Sequence, residues 1–125
     1  MTISKWNVLV VEDESDSMEL VQGILSYYGI HSVGAVSAEE ALQILKTTTP
    51  TLMIIDLALP GLDGWQLLKQ LQANKSLQRV PKVAITAFHS PELAEQAIAA
   101  GFHAYFAKPI DATSFVRELQ AILEG

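Results

Sequence analysis

The sequence predicts an α/β protein built on a single doubly wound, five-stranded parallel sheet. Five short apolar runs alternate with five segments whose apolar residues recur at helical spacing. Most of the runs have consecutive apolar residues rather than an alternation of apolar and polar ones, which is typical of strands covered by helices on both faces. Because crossovers between parallel strands are right-handed, the strand order 2-1-3-4-5 fits this alternation best.

Length and composition narrow the class of protein further. The chain has 125 residues, 50% of them hydrophobic, a formal net charge of -6 and no cysteine. This length suits roughly one domain, which we assign to residues 2–124. The acidic balance argues against a direct nucleic-acid partner, because the phosphate backbone binds basic surfaces. No apolar run approaches the roughly 20 residues that span a bilayer, so we expect no membrane association. The absence of cysteine excludes disulfides and thiolate metal sites and agrees with a cytoplasmic location.

The first half of the chain is predicted to form three strands and two helices. Ser15 is the predicted N-cap of the first helix and Gly29 its stop. Ser37 stands three residues before Glu40, a capping-box pattern that opens the second helix. The predicted strands cover residues 6–11, 31–36 and 51–56, and the predicted helices cover 15–29 and 37–47.

The second half repeats the alternation. The fourth helix has a cap at Ser90, a proline at its first helical position and a closing glycine at Gly101. The predicted strands cover residues 81–87 and 103–108, and the predicted helices cover 64–73, 90–101 and 111–125. Nothing remains for a second domain.

Polar residues follow four of the five predicted strands. Each has an ordinary structural explanation when taken alone: acids at a helix N-terminus, an Asx turn, a β-former and an exposed lysine. Ligands of doubly wound sheets, however, bind outside the carboxyl ends of the strands. We therefore expect these residues to meet at one edge of the sheet: Glu12, Asp13 and Glu14 after the first strand, Asp56 at the third, Thr86 and Ala87 at the fourth, and Lys108 at the fifth.

The acidic members of this set predict a magnesium site. Carboxylates in one cleft repel one another, and a divalent cation relieves that repulsion. An all-oxygen set without histidine or cysteine suits Mg2+, with Mn2+ as a substitute. The predicted ligands are Asp13 and Asp56 directly, Glu12 through a water, and the main-chain carbonyl of Ala58.

A carboxylate held by a metal beside a lysine is also a competent nucleophile toward phosphorus. Phosphoryl transfer depends mainly on alignment and on positive charge at the phosphoryl oxygens. The metal and Lys108 would supply that charge, while the Thr86 hydroxyl and the Ala87 backbone N–H would bond the remaining oxygens. Asp56 is accordingly the predicted phosphate acceptor.

With these residues in place, the chain resembles the response-regulator receiver domain of two-component signalling, of the chemotaxis-regulator kind. The matching stretches are "VLVVEDE", "MIIDLALPGLDGW", "AITA" and "YFAKPID", in the right order over nearly the whole chain. The resemblance implies the flavodoxin-like (βα)5 fold. It also implies a phosphoprotein that assists its own phosphorylation and dephosphorylation and is not a turnover enzyme.

The resemblance assigns roles to individual residues. It makes Glu12 and Asp13 the acidic pair, Asp56 the phosphorylation site, Thr86 the switch hydroxyl, Tyr105 the switch aromatic and Lys108 the phosphate-binding lysine, with a cis peptide between Lys108 and Pro109. The implied donor is a sensor histidine kinase or a histidine phosphotransfer protein. The implied output surface is formed by the fourth helix, the fifth strand and the fifth helix, and contacts a downstream effector of unknown identity.

Two positions depart from what the resemblance leads us to expect. Ala58 stands two residues after Asp56, and Phe88 two residues after Thr86. In the family these side chains influence the attack of water on the acyl phosphate, and neither alanine nor phenylalanine can orient a water. We therefore expect a long-lived phosphorylated form.

The sequence argues against two other classes of protein and leaves a third open. An aspartyl-phosphate hydrolase of the dehalogenase type needs a second acid where Ala58 stands, and a flavin carrier needs a phosphate cradle where Glu12 to Glu14 would repel one. A binding module of the same fold that acts without phosphorylation remains the alternative. No output segment follows Gly125 in this sequence, so we expect the effect to pass through a partner; a stand-alone regulator and a piece of a larger one are both open.

Overall fold

The computed structural model describes residues 2–124, in which five strands alternate with five α-helices. The strands are β1 (Asn7–Val11), β2 (His31–Ala35), β3 (Leu52–Asp56), β4 (Lys82–Thr86) and β5 (Ala104–Ala107). The helices are α1 (Ser15–Tyr27), α2 (Ala38–Ile44), α3 (Gly64–Gln72), α4 (Pro91–Ala100) and α5 (Phe115–Glu124), preceded by a short 3-10 helix at Ile3–Lys5. All strands are parallel in the order β2-β1-β3-β4-β5, which confirms the predicted fold.

The sheet divides the hydrophobic core into two halves. Alternate residues of each strand face opposite sides, as the twofold period of a strand requires. Leu9 and Val11 point to the half covered by α2, α3 and α4, whereas Val8 and Val10 point to the half covered by α1 and α5. Both faces are thus buried, which is why the interior positions of the central strands β1, β3 and β4 are apolar and polar residues stand only at the strand ends. None of the helices within residues 2–124 has the length and apolarity needed to cross a bilayer.

Most of the predicted helix boundaries are confirmed. The hydroxyls of Ser37 and Ser90 accept hydrogen bonds from N–H groups in the first turns of α2 and α4. Gly29 and Gly101 close α1 and α4 with φ angles of 75° and 122°, conformations that glycine adopts without a steric penalty. The carboxylate of Glu40 turns back to the Val36 N–H rather than to that of its own cap residue.

Two predicted helix starts were wrong. Helix α1 begins at Ser15 itself, and the cap position is Glu14, whose side chain makes no capping bond because it binds a lysine instead. Helix α5 begins at Phe115 rather than at Asp111, because the Asp111 carboxylate accepts hydrogen bonds from the N–H and hydroxyl of Thr113 and forms a turn there. The predicted end at Gly125 lies outside the described residues.

Strand register brings the carboxyl ends of the strands level. Val11 is paired with Ile55, and Asp56 with Ile85. Thr86 is paired with Ala107. The residues that follow β1 and β5 therefore lie at the same edge of the sheet as the last residues of β3 and β4.

The opposite edge contains a buried lysine that the sequence interpretation treated only as part of a strand. Lys82 is 2% exposed. Its ammonium donates hydrogen bonds to the carbonyl oxygens of Leu77 at 2.6 Å and Gln78 at 3.3 Å. Burial lowers the pKa of Lys82. The charge ties the loop between α3 and β4 to the sheet.

Lys82→Met should lower the free energy of unfolding by about 1–3 kcal/mol, because it keeps an apolar stem but leaves the Leu77 carbonyl without its donor. Urea unfolding followed by circular dichroism measures this. Lys46→Met, at an exposed lysine, is the matched control and should have little effect. An unchanged midpoint for Lys82→Met would show that the two hydrogen bonds contribute nothing net.

Candidate functional site

Three carboxylates meet at the edge of the sheet. Glu12, Asp13 and Asp56 each offer an oxygen within 4.8 Å of the other two. Glu12 is fully buried and Asp56 is 2% exposed, whereas Asp13 faces solvent. The Glu12 N–H donates to the Ala35 carbonyl at 2.9 Å, so the parallel ladder continues past β1 and fixes the position of this acid.

Lys108 lies against this acidic group. Its ammonium nitrogen is 2.6 Å from Glu12 Oε1, 2.9 Å from Asp56 Oδ2 and 2.9 Å from Glu14 Oε1. Burial lowers the pKa of Lys108, but the three carboxylates outweigh it and hold that pKa above its usual value. Lys108 is therefore a fixed positive charge in the cleft.

Two backbone features flank Lys108, a hydrogen bond before it and a cis peptide bond after it. Its N–H donates to the Thr86 carbonyl at 2.9 Å, continuing the ladder past β4 and β5. The peptide bond between Lys108 and Pro109 is cis.

Burial also affects the acid beneath the lysine. Desolvation and the neighbouring Asp56 carboxyl raise the pKa of Glu12, and Lys108 acts in the opposite direction. The direction is the one expected for a carboxyl enclosed with another carboxyl. Desolvation is the larger of the two causes, and the Lys108 ammonium opposes both.

The carboxylates fit a hard divalent cation. Glu12 Oε1 is buried and has no hydrogen-bond partner of acceptable geometry, although the Lys108 ammonium is within ion-pair distance. A buried carboxylate oxygen without a donor is costly, and a cation or a cation-bound water would satisfy it. Three converging oxygens without histidine or cysteine are a magnesium-type donor set.

Asp56 is fixed by the loop that follows it. Its Oδ1 accepts a hydrogen bond from the Ala58 N–H at 2.9 Å, and its Oδ2 one from Lys108. Gly64 presses on this loop from the start of α3: a Cβ there would lie 2.5 Å from the Asp56 carbonyl oxygen and 2.8 Å from the Leu57 Cα. Glycine at this position lets α3 approach the backbone of Asp56.

The two predicted switch residues lie on the neighbouring strands β4 and β5. Thr86 is buried, and its hydroxyl accepts from the Phe88 N–H at 3.1 Å. Tyr105 is half-buried on β5, and its hydroxyl lies 3.1 Å from Nδ1 of His89. Ala87 is exposed just beyond β4, next to Thr86.

The structure adds three features that the sequence interpretation missed: the contact of Glu14 with Lys108, the close approach of Gly64 and the contact of His89 with Tyr105. Only the first had a signal, since Glu14 directly follows the acidic pair. Trp65, in the first turn of α3, packs against Phe102 with ring centroids 6.0 Å apart.

The fold and the site together agree with the comparisons with known proteins. The family model described as the response regulator receiver domain matches residues 8–120. The chain belongs to this family, the receiver domains of two-component signalling.

Three relatives illustrate the similarity. The polar-differentiation response regulator DivK of Brucella ovis is 29% identical over 117 residues, covering 94% of this chain and 95% of that protein. A response regulator from Chloroflexus aurantiacus superposes with a TM-score of 0.90 at 29% identity, over 96% of this chain and 98% of the other. The receiver domain of a Pseudomonas aeruginosa sensor histidine kinase, whose structure has a magnesium ion coordinated in the active-site cleft, gives a TM-score of 0.87 at 25% identity, over 96% and 98%.

Gly64→Ala should lower the free energy of unfolding by about 1–3 kcal/mol, because the added methyl meets backbone that must move. Chemical denaturation measures the loss. Gly23→Ala, in α1 with nothing within 4 Å of the added carbon, is the matched control and should stabilise by roughly 0.5–1 kcal/mol. Equal effects of the two substitutions would contradict the proposed close approach.

Proposed function

We propose that this receiver domain accepts a phosphoryl group on Asp56 in a magnesium-dependent reaction and thereby changes the surface that it offers to a partner. The observation that carries the proposal is the placement of Asp56: a nearly buried carboxylate, 2.9 Å from the Lys108 ammonium and within 4.8 Å of two further acids. Membership of the receiver family supports it.

The chemistry follows from the charges in the cleft. One Asp56 oxygen attacks phosphorus, the new O–P bond forms, and the P–N bond of a donor phosphohistidine breaks with its electron pair passing to the imidazole nitrogen, which takes up a proton. When bound to Glu12, Asp13, Asp56 and the Ala58 carbonyl, Mg2+ (or Mn2+) supplies positive charge for the phosphoryl oxygens. Lys108 adds a second positive charge and is already beside the acceptor.

Two groups beside the cleft complete the oxygen contacts. The Thr86 hydroxyl and the Ala87 N–H lie at the carboxyl end of β4, next to Asp56 on β3. The Thr86 hydroxyl now accepts from the Phe88 N–H, and its own hydrogen is available to donate to a phosphoryl oxygen when the side chain moves toward Asp56.

That movement is the proposed start of the switch. The phosphoryl group adds a charge of roughly -1.5 to -2, and it draws Thr86 toward the cleft. The space left beside β4 allows Tyr105, now half-buried and bonded to His89, to turn inward. The surface of α4, β5 and α5 changes as a result. Exposed apolar side chains in this region, Phe88 and Ile98, suit a protein partner.

The donor in this proposal is a sensor histidine kinase or a histidine phosphotransfer protein, and the target is a downstream effector. The domain assists its own phosphorylation and dephosphorylation but does not turn over substrate as an enzyme. Residues 2–124 act as one receiver domain, and the cytoplasm remains its predicted location.

Incubation with acetyl phosphate should add one phosphoryl group to the protein, because the cleft already contains the acceptor and its positive partner. Intact-mass spectrometry checks this with magnesium, with a chelator and with Asp56→Asn. The adduct should require both magnesium and Asp56. If neither acetyl phosphate nor a panel of histidine kinases yields an adduct, the alternative is favoured: a receiver-fold binding module that acts without phosphorylation.

The phosphorylated form should persist for minutes or longer without a phosphatase, because the Ala58 methyl and the exposed Phe88 ring cannot orient an attacking water. Ala58→Asn, which supplies an amide, should shorten the half-life by roughly tenfold. Decay of the phosphorylated mass after removal of the donor measures both values. Ala99→Asn, at an exposed position on α4, is the control, and a wild-type half-life of seconds would contradict the hypothesis.

A further inference from the structure

Lys108 has one acidic partner that the magnesium site does not use. Glu12 and Asp56 belong to the three-carboxylate group that fits a cation, and Glu14 does not. Its Oε1 nevertheless lies 2.9 Å from the lysine nitrogen, as close as the nearest oxygen of Asp56. The side chain of Glu14 is 63% exposed, whereas that of Lys108 is 10% exposed. Glu14 therefore approaches the buried ammonium from the solvent side.

In the proposed reaction, the carboxylates of Glu12 and Asp56 would bind the cation, whereas the carboxylate of Glu14 would not. Glu12, Asp13 and Asp56 would hold a divalent cation, and its charge would weaken the attraction of Glu12 and Asp56 for the lysine. Glu14 then remains as the carboxylate paired with Lys108. The incoming phosphoryl oxygens need the same ammonium, so they compete with the Glu14 carboxylate for it.

Glu14 also contributes a negative charge on the solvent side of the cleft, beside the acceptor's lysine. A free phosphodonor is itself an anion, and like charges oppose its approach. Both effects act in the same direction against a small anionic donor.

We propose that Glu14 is a specificity-determining residue that pairs with Lys108 and slows phosphorylation of Asp56 by small anionic phosphodonors. The inference rests on the proposed phosphoacceptor function and identifies which donors the site disfavours. Because Glu14 is largely exposed, its pairing with the lysine is weak, and the effect on rate amounts to about two- to fivefold.

The reaction used to test it is transfer from acetyl phosphate. An Asp56 oxygen forms a bond to phosphorus, the bond from phosphorus to the acetyl oxygen breaks, and acetate leaves with the electron pair. The rate of phosphoprotein formation is followed by intact mass at saturating magnesium and subsaturating donor. The proteins are the wild type, Glu14→Gln, Glu14→Asp and the control Glu118→Gln, which removes the same charge at an exposed site on α5.

Glu14→Gln should react about two- to fivefold faster than the wild type, Glu14→Asp should remain nearer to the wild type, and Glu118→Gln should not differ from it. The advantage of Glu14→Gln should shrink as salt is raised, because screening weakens partly exposed charges. It should also be smaller with phosphoramidate, which carries less negative charge. A merely structural role of Glu14 would produce neither dependence.

A Glu14→Gln rate equal to or below that of the wild type overturns the inference, as does an equal gain in Glu118→Gln. Melting temperatures of all variants confirm that rates are compared between folded proteins. Failure of the wild type to be phosphorylated at Asp56 would count against the proposed function. Phosphorylation of Asp56 without an effect of Glu14 would count against this inference alone.

Discussion

The contact of one lysine ammonium with buried carboxylates is the interaction on which the candidate site depends. Glu12 and Asp56 are withdrawn from water at the edge of the sheet, and buried charges are unfavourable unless they are paired. Lys108 follows β5, the edge strand that β4 separates from β3. The loop after β5 lies at the same edge of the sheet as Glu12 and Asp56, so the lysine contacts both. The pairing places a positive charge beside both carboxylates and holds them close together. An acceptor carboxylate has to be ionised to act as a nucleophile.

The cleft has an excess of negative charge, because one ammonium contacts three carboxylates. Burial and a neighbouring acid still raise the pKa of Glu12, and one of its oxygens lacks a hydrogen-bond donor. The excess of negative charge favours the binding of a further cation in this cleft. The proposed magnesium ion is therefore a consequence of how the sequence distributes its acids along the sheet edge, and so is the competition for Lys108.

Much of this arrangement could be predicted from the sequence, because it follows from chain order. Apolar runs define the strands, the crossover rule defines their order, and the strand ends then bring Asp56 and Lys108 to one edge. Local patterns failed where side chains had competing partners. Ser15 looked like a cap, but the helix starts there, and the glutamate before it contacts Lys108. Asp111 looked like part of a helix, but its carboxylate closes a turn with Thr113.

Other features could not be predicted because they depend on distances between segments far apart in the chain. The close approach of Gly64 to the Asp56 backbone requires the angle at which α3 packs. The burial of Lys82 depends on the path of the preceding loop, whose carbonyls accept its hydrogen bonds. No periodicity or motif encodes either distance.

The side chains of the candidate site come from strand ends and the loops after them, and none lies within a helix. The residues of the candidate site and the residues of the outer helix surfaces thus lie in separate parts of the molecule. Substitutions on the outer faces of the helices can accumulate without disturbing the cleft, since the sheet edge is fixed by backbone pairing and by the buried faces of the helices. Under the proposed function, proteins with the same cleft would differ in their partners through their helix surfaces. Grafting those surfaces between relatives should redirect a signal while leaving its chemistry unchanged.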